Sequence, residues 1–137
     1  MFAKKARFIY DSDTALAVTA GTPITFSNIV SNSSCIQGNG SGGIQLKSPG
    51  TYRIISSFTL NATAAGNVNI QMSANGNPVS GARSAATLAA AGDLSNVVIT
   101  DLITVKSGAQ GSFATLTFAP SAAVGIRTAT VIIEKVL

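Results

Sequence analysis

The sequence predicts an all-β protein, a sandwich or barrel of roughly eight to ten short antiparallel strands. Three observations carry this. Short runs alternate apolar with polar residues, and no stretch repeats its apolar residues at the 3.6-residue helical period. Gly, Asn, Pro and Ser punctuate those runs at sheet-like spacing. Finally, 46% of the 137 residues are hydrophobic while only 10% are charged, against roughly 25% charged in an average soluble protein. One domain of this length, residues 1–137 with a short N-terminal arm of about five residues, can bury a core without disulfide or metal staples.

Residues 6–10 are the first strand candidate, and Asp11, Ser12 and Asp13 then read as a turn. Short strands at 23–26 and 29–30 follow a Gly-Thr-Pro turn. Residues 39–43 (NGSGG) are a loop, and a short strand at 44–47 ends at Pro49-Gly50. Residues 51–60 form the clearest long strand, with Tyr52, Ile54, Phe58 and Leu60 on one parity. Ser56 sits among them, and Ile55 breaks the alternation, so both faces are expected to be partly buried. After a turn at 64–66, Val68, Ile70 and Met72 alternate with Asn, Gln and Ser in a half-buried strand. Asn75-Gly76 is a tight hairpin, since both residues accept positive φ. Pro78 and Gly81 confine the next strand to an edge. The Ala-rich stretch 84–91 reads as an irregular strand. Residues 97–105 place Val97, Ile99 and Ile103 on one parity and Val98 and Leu102 on the other, as in a central strand covered on both faces. Residues 113–118 and 129–137 complete the set. The expected core comprises Tyr52, Ile54, Phe58, Ile70, Met72, Val97, Ile99, Phe118 and Val131, some of it between subunits.

The composition excludes several chemistries. With no His and no Trp, the usual general base and an aromatic sugar platform are both missing. One cysteine, Cys35, makes no disulfide framework and no thiolate metal cluster, and is read as a buried or interface thiol. Asp11-Ser12-Asp13 lacks the later ligands of a calcium loop, and the glycine-rich loop at 39–43 lacks the Lys and helix of a phosphate loop. No cofactor or metal is expected. The formal net charge of +4 rests on scattered cations, with only Lys4, Lys5 and Arg7 clustered; neither a nucleic-acid nor a membrane partner is expected. The N-terminal residues lack the apolar core of a secretory signal, so synthesis in the cytoplasm is expected. Low charge protects weakly against association, which points to a surface covered by further subunits.

Three stretches in order resemble the TNF/C1q-like jelly-roll superfamily: residues 21–26 (GTPITF) with Asn28; 43–46 (GIQL) leading to 49–54 (PGTYRI); and 67–76, ending in Asn75-Gly76. The Ala-Gly-Asp at 91–93 and the closing 131–136 (VIIEKV) fit the same order. Within the superfamily the chain is most similar to short bacterial and phage members, such as the C-terminal domains of spore-surface collagen-like proteins, though without their Gly-X-Y stalk. The resemblance implies a TNF/C1q-like jelly-roll sandwich that forms a homotrimer, with inner sheets around a threefold axis, and it transfers no catalytic residue.

A stalkless jelly roll of this kind resembles small phage virion proteins that decorate capsids or form head fibres. The function expected is therefore non-enzymatic: a virion structural protein whose partners are its own copies and the major capsid or another virion protein. The alternative is a receptor-binding or adhesin tip that recognises a host surface glycan or protein. In the resembled fold both chain ends lie on one side of the trimer. This makes Phe2, Lys4, Lys5, Arg7 and Lys135 the candidates for docking on a capsid. The loops at 39–43 and 75–78 would then face outward.

Overall fold

The computed structural model describes residues 4–31, 35–106 and 114–136. They form β1 (Lys5–Val18), β2 (Asn28–Ser31), β3 (Ile36–Gly38), β4 (Ile44–Leu46), β5 (Gly50–Asn61), β6 (Gly66–Ala74), β7 (Asn77–Leu88), β8 (Leu94–Val105), β9 (Ala114–Pro120) and β10 (Val124–Lys135). All pairings are antiparallel. They make two five-stranded sheets, ordered β2-β1-β10-β5-β8 and β3-β4-β9-β6-β7.

The period-two pattern places one face of each sheet in the core. In β5, Tyr52, Ile54, Phe58 and Leu60 are fully buried; so are Ile70 and Met72 of β6, Phe118 of β9, and Val131 of β10. Val97 and Ile99 of β8 are buried beside them. All of these are covered within one chain, so none of them waits for a partner to exclude water. Phe58 and Phe118 bridge the sheets, with ring centroids 5.3 Å apart. Among the described residues Ser56 is the one buried residue with a polar aliphatic side chain, and its hydroxyl donates to the Ile99 carbonyl at 2.9 Å. That bond meets the cost of burying a hydroxyl beneath apolar neighbours.

The register defines two ends. The Lys135 amide donates to the Lys4 carbonyl at 2.8 Å, and Lys135 lies opposite Tyr52, itself opposite Ile103. The start of β1 and the end of β10 therefore share an end, called the terminal end, with the segment after β4, the exit of β8 and the start of β9. The other end carries the connections at 19–27, 39–43, 62–65, 89–93 and 121–123. Gly42 there has φ of 88°, and a Cβ at that position would stand 2.6 Å from the Ile24 carbonyl oxygen. Only glycine allows the 39–43 loop to close against the 19–27 segment.

Several sequence expectations change. Asp11, Ser12 and Asp13 do not end a strand. They lie within β1, where the register slips between Asp11 and Leu16 as the strand bulges against β10. Residues 23–26 make no ladder, although the Ile24 amide reaches the Phe118 carbonyl at 2.8 Å. The Ala-rich stretch continues β7 regularly to Leu88, because cross-strand pairing with β6 overrides the weak β propensity of Ala. β7 is an edge strand, as Pro78 and Gly81 indicate. β8 is also an edge rather than a central strand, and its second face is uncovered. The Asn75-Gly76 hairpin, with φ of 52° and 83°, lies at the same end as the termini rather than opposite them. There the Asn75 amide donates to the Thr115 carbonyl at 2.9 Å, one residue inside β9.

Candidate functional site: the outward face of the first sheet

The residues that alternate with the core on β1, β10, β5 and β8 build a second surface. The ladder register sets them in rows across the sheet. One row runs Val30, Arg7, Ile132, Ile55, Thr100. The next, towards the termini, runs Lys5, Glu134, Arg53, Leu102, and the row on the other side runs Asn28, Ile9, Thr130, Ser57, Val98. Val30, Ile55, Val98, Leu102 and Ile132 are each between 41% and 59% exposed. Branched aliphatic side chains suit a pleated strand, but here they meet water. A contiguous apolar patch on a sheet face marks an interaction surface, whereas isolated exposed aliphatics do not.

The surface is amphipathic by row. Arg53 donates from Nη2 to Oε1 of Glu134 in a partly exposed ion pair, worth no more than about 1 kcal/mol in water. Lys5 stands across the ladder on the other side of Glu134. A shallow depression between β5 and β8 is lined by Arg53, Ile55, Thr100, Asp101 and Leu102. It is open and has no convergent polar groups of the kind that grip a small ligand.

The terminal end is polar. Lys135 Nζ donates to Ser48 Oγ at 3.1 Å, and the Tyr52 hydroxyl donates to the Ser48 carbonyl at 2.7 Å. Lys47 Nζ donates to Gln37 Oε1 at 2.6 Å. Burial pushes the Tyr52 phenol above its ordinary pKa; the Ser48 hydrogen bonds oppose that shift and the neighbouring Cys35 adds to it. Cys35 itself is buried.

Of the docking candidates, Lys4 and Lys135 meet at this end, whereas Lys5 and Arg7 belong to the outward face of the first sheet, Lys5 beside Glu134 and Arg7 between Val30 and Ile132. Phe2 lies outside the described residues. The acids do not converge: the Asp93 carboxylate accepts from the Ala89 and Ala90 amides at 3.2 and 3.0 Å, while Asp11, Asp101 and Glu134 sit on separate strands. The outward patch was partly legible beforehand. Ile55, Val98 and Leu102 broke the alternation, but the sequence does not say whether such a second face is covered by its own chain.

No family model and no curated relative matches the sequence. Solved structures do match in fold. The globular domain of zebrafish complement 1qA superposes with a TM-score of 0.68 at 15% identity, covering 96% of this chain and 94% of that one. Eiger TNF from S. frugiperda gives 0.74 at 8% identity, covering 98% and 93%. The vertex protein P5 of phage PRD1 gives 0.57 at 13% identity, covering 96% and 72%. The chain has the TNF/C1q-like jelly-roll fold.

Proposed function

We propose that this chain is a non-enzymatic structural protein of a phage virion, assembling as a homotrimer that decorates a capsid or forms a head-fibre-like projection. The observation that carries the reading is the outward face of the first sheet. Its Val30, Ile55, Val98, Leu102 and Ile132 stay in water although the chain's own core is complete, as expected of a subunit lacking its neighbours. Closing three copies over that face would remove apolar surface from water at about 25 cal/mol per Å². The fold shared with a phage vertex protein supports the virion setting, and the dispersed acids and absent His support a non-catalytic role.

Docking uses the end where β1 starts and β10 finishes and Lys4 and Lys135 adjoin. A second reading, a receptor-binding tip, draws on the five connections gathered at the opposite end, where a host ligand would be met. Immunogold labelling of particles released on lysis of the producing cell separates these roles from a cellular one. Label on particle shells is expected. Label confined to the cell envelope or to free protein would overturn the virion assignment.

A further inference from the structure

The formal charge of +4 conceals a strongly polarised molecule. Of the nine Lys and Arg residues, Arg127 lies towards the opposite end and Arg83 along the edge strand β7 of the second sheet, opposite Gln71, while the other seven lie on the half where β1 starts and β10 ends; Asp11, Asp13 and Asp93 lie towards the other end. The cations near the termini fall into two groups. Lys5, Arg7 and Arg53 lie on the outward face of the first sheet, Lys5 and Arg53 flanking Glu134, with which Arg53 is paired. Lys4, Lys47, Lys106 and Lys135 instead rim the end itself. Lys47 follows β4 of the second sheet, so it cannot belong to the outward face of the first, and Lys106 lies just past β8. Lys4, Lys47 and Lys106 are exposed.

We infer that this rim of Lys4, Lys47, Lys106 and Lys135 is a docking surface for an acidic protein partner, while Lys5 and Arg7 belong to the assembly face. The division rests on the reading that copies of the chain cover the first sheet. In such an assembly the rim stays free, and three copies set its lysines side by side on one plane. The chemistry fits carboxylates on a protein better than nucleic acid. Among the described residues no aromatic ring is exposed beside these lysines to stack on a base. The lysines also stand at strand ends, Lys4 before β1, Lys47 after β4, Lys106 after β8 and Lys135 closing β10, around an end rather than along a groove that would track a phosphate backbone. Complementary charge of this kind sets orientation and speeds encounter.

The test compares two doubles, Lys47→Glu/Lys106→Glu and Arg83→Glu/Arg127→Glu, each of which takes the formal net charge from +4 to zero. Binding is measured at low salt to a polyglutamate-coated sensor, a DNA duplex and phosphatidylglycerol vesicles, with native mass spectrometry on the same samples. The rim double should lose about tenfold or more on polyglutamate, and the control double little. Equal losses in the two doubles would overturn the docking end. Tighter wild-type binding to DNA or vesicles than to polyglutamate would overturn the acidic-protein assignment. A monomeric wild type would instead sink the assembly reading, which the mass spectra report separately. If either Glu double fails to fold, the corresponding Gln doubles carry the same comparison.

Discussion

Phe58 fills the gap between the sheets against Phe118 and has no exposed surface. Its truncation leaves a void that a sandwich cannot close without moving whole strands, so Phe58→Ala should cost about 3–5 kcal/mol. Ile70→Ala, also fully buried, should cost about 2–5 kcal/mol. Urea titration measures both; unchanged midpoints would mean the strand faces are assigned the wrong way round. Tyr52 adds a pH dependence. Its phenol holds its proton above the ordinary value of 10.0 because burial disfavours phenolate. The folded chain then binds that proton more tightly than the unfolded chain. Stability is unaffected by this group below pH 10 and declines as pH rises through and above it. Tyr52→Phe should flatten that alkaline decline in a series of urea titrations; an identical slope would show that other groups cause it.

At the scale of elements, the β6–β7 turn and β8 show what could and could not be read in advance. Asn75-Gly76 was legible because a tight hairpin needs positive φ at both central positions, and local chemistry alone decides that. A Cβ at Gly76 would meet nothing within 4 Å, so its conformation alone is at stake. Gly76→Val should cost about 1–3 kcal/mol, and Gly76→Asn should recover most of it; equal losses in thermal unfolding would point to a packing role instead. β8 was not legible in the same way. Val97 and Ile99 alternate with Val98 and Leu102, a pattern shared by a central strand and by an edge strand with an unsatisfied outer face. Asp11 and Asp13 misled for a related reason: polar residues signal a turn, but a bulge in a continuing strand uses the same types. The docking candidates divided once the pleat was known, because Lys4 and Lys5 are adjacent in sequence yet belong to different surfaces. Val98→Lys with Leu102→Glu should leave the unfolding midpoint of the single chain nearly unchanged, within about 0.5 kcal/mol, while preventing self-association in sedimentation velocity. Normal association by that variant would remove β8 from the assembly face.

For the whole molecule, two features need a common explanation: a core already complete within one chain and an apolar sheet face left in water. Assembly of copies over the first sheet accounts for both, and for a composition with only 10% charged residues. It also gives the cations distinct places, some beside the apolar rows and the rest on an exposed rim. Stoichiometry tests this account most directly. Native mass spectrometry of the wild-type chain at micromolar concentration should show three chains of 13.8 kDa in one species, and Ile55→Arg with Ile132→Glu should return it to one. A wild-type chain that stays monomeric under those conditions would contradict the account.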